Sequence, residues 1–169
     1  MNTVDAIAEI LKREGVEYLS CFPTTPMIES AAKAGIRPII CRQERVGVGI
    51  ADGFSRATNG KRMGVFAMQY GPGAENAYAG AATAFSDSTP ILILPLGHPR
   101  DRQGVLPHFS SMSGYANISK YIEQVNTAGR VSEIMRRAFA SLRQGRGGPV
   151  LVETPADIAL EEVSEESFF

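Results

Sequence analysis

The sequence predicts an α/β fold: a three-layer α/β/α sandwich around a doubly wound, mainly parallel six-stranded sheet. Short β-branched or apolar runs alternate with stretches whose apolar residues recur at helical spacing, a pattern typical of parallel sheets. One run, 91–94, is apolar without interruption, as expected for a strand that helices cover on both faces. A chain of 169 residues is long enough for one domain with a substantial core.

The first predicted element is a helix over 4–13, because its apolar residues fall on one face and Thr3 can cap its start. A glycine ends this helix, and an apolar run over 16–21 predicts the first strand. A proline-containing turn over 22–26 then opens a second helix, which we expect to run to about residue 34.

The β-branched run 36–41 predicts the second strand, which leads directly into a helix over 44–58. That helix contains Gly47, Gly49 and Gly53, and each glycine costs about 0.5–1 kcal/mol relative to alanine. Because Gly49 and Gly53 share one face, we expect another helix or a ligand to approach that face closely. A helix that simply tolerates its glycines is the alternative.

The third predicted strand, 63–68, is followed at once by a Gly-Pro-Gly bend at 71–73 and a small-residue helix over 77–85. Such a bend directs backbone N–H groups and a helix N-terminus toward the edge where parallel strands end, which is the usual ligand position. The bend lacks the lysine and hydroxyl residues of a P-loop, so we do not predict a phosphate site.

A long polar loop over 97–114 follows the fourth strand and contains both histidines, His98 and His108. A loop of this length in a compact domain is usually functional or mobile. Three further elements complete the alternation of strands and helices: strand 121–125, helix 131–142 and strand 149–153.

The composition excludes several classes of partner. A net charge of −1 gives no basic surface of the kind that binds nucleic acid or an anionic membrane. No apolar run reaches the roughly 20 residues of a membrane span, and the N-terminus lacks the basic and apolar regions of a signal peptide. We therefore expect neither nucleic acid nor a membrane as a partner.

Cys21 and Cys41 each end an apolar, strand-like run. Because the chain offers few metal ligands, buried free thiols are favoured over a disulfide or a metal site. Free thiols are typical of a reducing compartment, so we expect a cytoplasmic protein. We also expect one domain over 1–160, followed by an acidic tail or linker over 161–169 that packs on nothing obvious.

Glu44 lies just after the second predicted strand, at the edge of the sheet where ligands bind. Considered alone, this residue permits two interpretations. A carboxylate in the first turn of a helix complements the helix dipole and contributes about 0.3–1 kcal/mol. Alternatively, it is a functional acid at a ligand site.

Six blocks of the sequence form one collinear set: FP at 22–23, RQE at 42–44, ADGFSRAT at 51–58, YGPGAEN at 70–76, AFSDSTP at 84–90 and GRGGPVLVETPAD at 145–157. In order and spacing they resemble the N-terminal pyrimidine-binding domain of thiamine-diphosphate enzymes of the acetolactate synthase type. The resemblance covers about 3–158, and six collinear blocks are more specific than any single block.

The resemblance implies a role for Glu44, which would hydrogen-bond N1′ of the cofactor aminopyrimidine and so activate thiamine diphosphate. The activated cofactor acts on a 2-oxo acid in decarboxylation or carboligation. The cofactor-binding residues that the resemblance implies are Phe22, Pro23, Thr24, Pro72 and Asn76. Each also has a simple structural alternative: the prolines can be turn residues, and Asn76 can be a polar residue at a helix start.

The long loop departs from the family pattern. The Phe-Gln pair of acetolactate synthases falls near Phe109 and Ser110, so a glutamine contact to cofactor or substrate is expected to be lost. The resemblance implies that His108, Phe109 and Ser110 lie on the substrate side. For His108 an ordinary loop histidine is an equal alternative, and for His98 it is the favoured interpretation.

The family holds the diphosphate and its Mg²⁺ on a second domain, through a Gly-Asp-Gly segment that ends in asparagines, and this sequence has no such segment. The resemblance therefore implies a diphosphate-binding partner domain and a homodimer or larger assembly, with no metal ligand on this chain. The partner is either the rest of a longer polypeptide or a separate subunit, as in split sulfopyruvate and phosphonopyruvate decarboxylases. A non-catalytic, doubly wound binding module is the alternative from another class.

Overall fold

The computed structural model describes residues 1–164 and 168 and contains, within them, one six-stranded sheet. Its strands are β1 (Tyr18–Cys21), β2 (Arg37–Ile40), β3 (Gly64–Met68), β4 (Ile91–Gly97), β5 (Tyr121–Gln124) and β6 (Val150–Pro155). The strand order is β2-β1-β3-β4-β6-β5, and every neighbouring pair is parallel. The predicted doubly wound parallel sheet is confirmed.

Helices cover both faces of this sheet. They are α1 (Thr3–Arg13), α2 (Met27–Lys33), α3 (Glu44–Ala57), α4 (Pro72–Ser86), α5 (Ser111–Gly114), α6 (Val131–Arg143) and α7 (Ala156–Ala159). Helices α1, α2 and α6 pack on one face, and α3 and α4 pack together on the other. Within the described residues, no helix is both long and apolar enough to cross a membrane.

Strand β3 lies at the centre of both hydrophobic cores and is buried along its whole length. Successive strand residues point to opposite faces, so Val65 and Ala67 join the core under α1, α2 and α6. Phe66 and Met68 join the core under α3 and α4. The apolar strands thus have helices on both sides, as their uninterrupted hydrophobic runs predict.

The carboxyl ends of β1 and β3 border a crevice at the topological switch point of the sheet. The chain leaves β1 through α2 toward β2 at the sheet edge, whereas it leaves β3 through α4 toward β4 on the opposite side. Connections that diverge in this way open a crevice between adjacent strand ends, the usual ligand position in such sheets. Helix α3 begins at the same edge of the sheet.

Close backbone packing holds the first half of α3 directly on the sheet. A Cβ added at Gly47 would lie 2.2 Å from Cε2 of Phe66, and one added at Gly64 would lie 1.9 Å from the carbonyl oxygen of Ala51. The Ser20 hydroxyl donates to the carbonyl of Gly47 at 2.8 Å. These contacts fix the start of α3 relative to β1 and β3.

Gly49 and Gly53 do not make the close contact expected of them within this chain. A Cβ added at either position would meet nothing within 4 Å, and both residues are exposed. The glycine contact between α3 and α4 occurs at Gly80, where an added Cβ would lie 2.3 Å from Cγ1 of Val48. The approach of another helix or a ligand from outside the chain to this face stays a prediction.

The first helix begins one residue earlier than predicted, because Asn2 and not Thr3 caps it. The Asn2 side chain accepts from the Asp5 N–H at 2.9 Å, and the Asp5 carboxylate accepts from the Asn2 N–H at 3.5 Å. This reciprocal arrangement is a capping box, which satisfies two N–H groups at the start of the helix. The Thr3 hydroxyl instead donates to the carbonyl of Glu161 at 3.1 Å.

The start of α4 also differs from the prediction, since the helix begins at Pro72 and not at residue 77. Gly71 turns the chain with a φ of 61°, a backbone conformation that glycine adopts without strain. Proline then fits the first helical turn because its missing N–H would have no partner there. Asn76 is therefore inside the helix, in its second turn.

The prediction that the acidic tail packs on nothing is wrong for the start of that tail. The carbonyl of Glu161 accepts from the Thr3 N–H at 2.9 Å, and the Val163 N–H donates to the carbonyl of Met1 at 2.9 Å. Val163 is buried in the core beneath α1. Most of the segment after residue 164, including two of the acidic residues, lies outside the described residues. A domain boundary at 160 stays a prediction.

Cys21 and Cys41 are buried and free, so the prediction of buried thiols is confirmed. They belong to the two different cores, on opposite faces of the sheet. Burial, with a smaller contribution from Cys41, raises the pKa of Cys21 to about 11. Burial also raises the pKa of Cys41. Both side chains are therefore protonated thiols at neutral pH.

Candidate active site

Glu44 is the first residue of α3, and its side chain is buried, with 6% of the residue exposed. The Asn76 Nδ2 group donates to its Oε2 oxygen at 2.8 Å. Among the described residues, no other side chain bonds this carboxyl group and no cation pairs with it. A buried acid with a single side-chain donor retains capacity to hold a ligand group or a proton.

The Gly71–Gly73 bend makes room for this carboxyl group at the carboxyl edge of the sheet. A Cβ added at Gly73 would lie 3.1 Å from Oε1 of Glu44 and 2.7 Å from Cγ of Gln69. Gly73 therefore lets the carboxyl group and the Gln69 side chain lie against the first turn of α4. Gln69 is not among the site residues predicted from the sequence, although its position directly after β3 is a signal that could have identified it.

The register between α3 and α4 brings Asn76 to Glu44. Residues four apart on a helix share a face, so Glu44 and Val48 face α4 from successive turns of α3. On α4, Asn76 and Gly80 occupy the matching turns, and the two contacts are Glu44 with Asn76 and Val48 with Gly80. The glycine of the second contact allows the two helices to approach closely enough for the first.

The turn after β1 lies at the same edge of the sheet. The Phe22 N–H donates to the carbonyl of Ala67 at 3.1 Å, which extends the pairing of β1 with β3, and the Phe22 side chain packs against the core under α3 and α4. Pro23 and Thr24 are exposed, as is Pro72 at the start of α4. In the described part of the chain, no hydrogen bond joins this turn to Glu44.

The two histidines of the long loop lie together beside the Gly71–Gly73 bend. The His98 ring lies 4.3 Å from the Tyr70 ring and 5.0 Å from the His108 ring, measured between centroids. Burial, and secondly the proximity of His108, lowers the pKa of His98 below its ordinary value. The favoured interpretation of His98 as an ordinary loop residue overlooked this cluster, since only the folded loop brings Tyr70 and His98 into contact.

Phe109 and Ser110 make contacts within the loop. A Cβ added at Gly114 would lie 3.1 Å from the Phe109 ring, and Phe109 packs against the core under α3 and α4. The Ser110 hydroxyl accepts from the Ser113 N–H at 3.2 Å and so caps the short helix α5. Of the three residues expected on the substrate side, His108 is the one that the structure joins to the cluster beside the bend.

The described residues contain no group of three or more His, Cys, Asp and Glu side chains that could hold a metal ion. The structure joins Glu44 to Asn76, and it joins His98 to His108 and Tyr70. The two sets lie on either side of one continuous segment, 69–73, that follows β3. The first set contacts the segment at Gly73 and the second contacts it at Tyr70, so both lie at the carboxyl edge of the sheet.

A family model described as "Thiamine pyrophosphate enzyme, N-terminal TPP binding domain" matches residues 1–125 of this chain. That match includes β1 to β4, the Glu44–Asn76 pair and the long loop. It therefore contains both the Glu44–Asn76 pair and the cluster of Tyr70, His98 and His108.

Curated relatives match almost the whole chain. A probable acetolactate synthase large subunit of Methanocaldococcus jannaschii is 30% identical over 99% of this chain and 29% of its own length. The acetolactate synthase large subunit of Lactococcus lactis is 30% identical over 94% of the chain and 28% of its own length. The chloroplastic acetolactate synthase 2 of Nicotiana tabacum is 33% identical over 91% of the chain and 24% of its own length. The chain thus spans less than a third of the length of these relatives.

Proposed function

This chain belongs to the thiamine pyrophosphate enzyme family as an N-terminal TPP-binding domain, and from that premise we propose that it is the pyrimidine-binding half of an enzyme acting on a 2-oxo acid. The observation that carries the proposal is the buried Glu44 carboxyl group, which Asn76 holds at the switch-point crevice. The names of the relatives support an acetolactate-synthase-like reaction, a carboligation that follows decarboxylation.

The residues at the crevice fit an aminopyrimidine ring. Glu44 has a second carboxyl oxygen that no described side chain bonds, and Gly73 leaves open the space that a Cβ would fill next to that oxygen. A ring nitrogen and its neighbouring amino group offer the donor and acceptor that such a carboxyl group can satisfy. When bound, thiamine diphosphate supplies the electron sink needed to break a carbon–carbon bond beside a carbonyl group.

In this proposal Glu44 holds and moves a proton at the pyrimidine ring nitrogen. Asn76 fixes one carboxyl oxygen and so orients the other toward the cofactor. Burial of the carboxyl group excludes water and strengthens its hydrogen bonds, because the local dielectric constant is low. Phe22, Pro23, Thr24 and Pro72 form the rim of the same pocket, and His108, Phe109 and Ser110 lie on its substrate side.

We propose that a second domain or subunit binds the diphosphate and Mg²⁺. The relatives extend well beyond the length matched by this chain, which supports such a partner. The same proposal places the domain at 1–160 and treats 161–169 as a linker toward the partner. It also places the protein in the cytoplasm, because its two thiols are free and a reducing compartment keeps them so.

We propose in addition that the outer face of α3 binds a second copy of this chain. Gly49 and Gly53 are exposed there beside Val46, which is 50% exposed, and Tyr78 of α4 is 37% exposed. Small residues at i and i+4 allow two helices to approach closely, and exposed large apolar side chains supply area for association. The assembly would be a homodimer or larger.

A titration with thiamine diphosphate and Mg²⁺ tests the half-site proposal. The 169-residue chain alone is expected to bind the cofactor weakly, and the chain joined to its diphosphate-binding partner is expected to bind it at micromolar concentration or better. Micromolar binding by the chain alone would overturn the need for a partner. A second titration, with Asn76→Ala in the assembled protein, should show weaker binding; unchanged affinity, together with no turnover of a 2-oxo acid by the wild-type assembly, would favour a non-catalytic binding module.

A further inference from the structure

The His98 side chain has a buried nitrogen that lacks a partner. Its Nε2 atom is shielded from solvent and makes no hydrogen bond to any described residue. A buried polar atom without a hydrogen-bond partner destabilises a fold, because it has lost its bonds to water and gained none in return. Such an atom in a native structure therefore calls for an explanation, and a bound ligand is one. A ligand that brings a hydrogen-bonding group to this nitrogen would remove that cost.

The groups around His98 are mainly cationic or able to become so. His108 lies 5.0 Å away, ring to ring, and Arg102 lies near enough that its charge contributes to lowering the pKa of His98. Arg102 makes no ion pair with any described residue. Among the described residues, the one acid whose charge raises the pKa of His98 is the buried Glu153 of β6, whose Oε1 already accepts from Gln124 at 2.6 Å.

The position of this cluster connects it to the proposed cofactor pocket. Tyr70, whose ring lies 4.3 Å from His98, directly precedes the Gly71–Gly73 bend. That bend carries the glycine which lies against the Glu44 carboxyl group. A small molecule at His98 would therefore lie at the same carboxyl edge of the sheet as the pocket, on the β4 side of the bend.

We propose that His98, His108 and Arg102 form an anion-binding site at the carboxyl end of β4, which takes the carboxylate of the substrate. A carboxylate accepts several hydrogen bonds at once and binds guanidinium and imidazolium groups through charge-assisted bonds. The charge of Glu153 favours the protonated form of His98, which is the form that an anion binds. The assignment of the anion to a 2-oxo acid rests on the proposed function, whereas the anion site itself rests on the cluster alone.

The ionisation of His98 gives a direct test, because the sequence contains two histidines and therefore two imidazole signals in histidine-labelled protein. We expect pyruvate to raise the titration midpoint of His98, since an anion binds the protonated ring. At a pyruvate concentration about ten times its Kd for the protonated site, the midpoint should rise by about one pH unit. Hydroxyacetone, a neutral ketone without the carboxylate, should leave the midpoint unchanged.

Three outcomes would overturn the proposal. The first is no shift with pyruvate, the second is an equal shift with hydroxyacetone, and the third is an equal shift with sodium chloride at the same ionic strength. Because the measurement needs no thiamine diphosphate, its failure would leave the role of Glu44 intact. Conversely, a Glu44 variant with full activity would leave the anion site intact.

A surface variant keeps the test informative if changes at His98 disturb folding. Arg102 is exposed, so Arg102→Gln should fold and should weaken pyruvate binding about tenfold or more. Arg37→Gln is the matched control, because Arg37 is also exposed but begins β2 at the opposite edge of the sheet. In the assembled enzyme, Arg102→Gln should raise KM with little change in kcat. Equal pyruvate affinity in both variants would contradict the proposal.

Discussion

Two alanine substitutions in α3 should have opposite effects on stability. At Gly47 an added Cβ would lie 2.2 Å from Cε2 of the buried Phe66 ring and 2.8 Å from the Cys41 sulfur. Overpacking of this kind costs about 3 kcal/mol at the upper end of its usual range. Replacement of a glycine inside a helix by alanine stabilises the fold by about 1 kcal/mol. Gly47→Ala should therefore lower the free energy of unfolding by about 2 kcal/mol.

Gly49→Ala is the matched control, since an added Cβ there meets nothing within 4 Å. It should raise stability by about 0.5–1 kcal/mol through helix propensity alone. For a chain of this length, Gly47→Ala should lower the melting temperature by about 4–8 °C, and Gly49→Ala should raise it by about 1–4 °C. Thermal unfolding of dilute protein, followed by far-UV circular dichroism, measures both. Equal shifts in the two variants would refute the placement of α3 on β3, and with it the position of Glu44.

Three further predictions follow from other contacts. Asn76→Ala should lower kcat/KM of the assembled enzyme about tenfold or more, because it removes the side-chain donor to Glu44; an unchanged value would contradict its orienting role. Burial raises the pKa of Asp157, but hydrogen bonds from Arg100 overcome this and hold it below its ordinary value. Arg100→Gln should thus lower the melting temperature at neutral pH, and the difference should close as pH falls below about 4. Gly53→Leu should weaken self-association in sedimentation, and a wild-type monomer at high concentration would exclude the α3 interface.

The sheet was predictable because its signals are local. Each strand is a short apolar run between turn residues, and parallel order follows from the alternation with helices. The position of Glu44 was equally accessible, since any residue just after a parallel strand lies at the carboxyl edge. Burial of its side chain was not, because it depends on how closely α4 packs over α3.

The start of α4 shows where local signals mislead. The Gly-Pro-Gly sequence suggests an extended bend, but Gly71 alone makes the turn and Pro72 is already helical. A helix that begins five residues earlier places Asn76 on the face toward α3 and not at a helix end. The contact between Asn76 and Glu44 thus depends on a register that the sequence pattern does not reveal.

The imidazole cluster depends entirely on long-range packing. His98 and His108 are ten residues apart in a loop without regular periodicity, and Tyr70 belongs to a different connection. Composition and spacing give no indication that these rings meet. Only the fold brings the loop after β4 against the bend after β3.

The rate of proton exchange at C2 of thiamine diphosphate, measured with Glu44→Gln in the assembled enzyme, tests the central proposal most directly. Glutamine keeps the shape of the side chain and can still accept from Asn76, but it cannot hold or release a proton. We expect the exchange rate of the variant to be about one-hundredth of the wild-type rate or lower, with turnover lost in parallel. Exchange and turnover equal to those of the wild type would contradict the assignment of Glu44 as the activating acid.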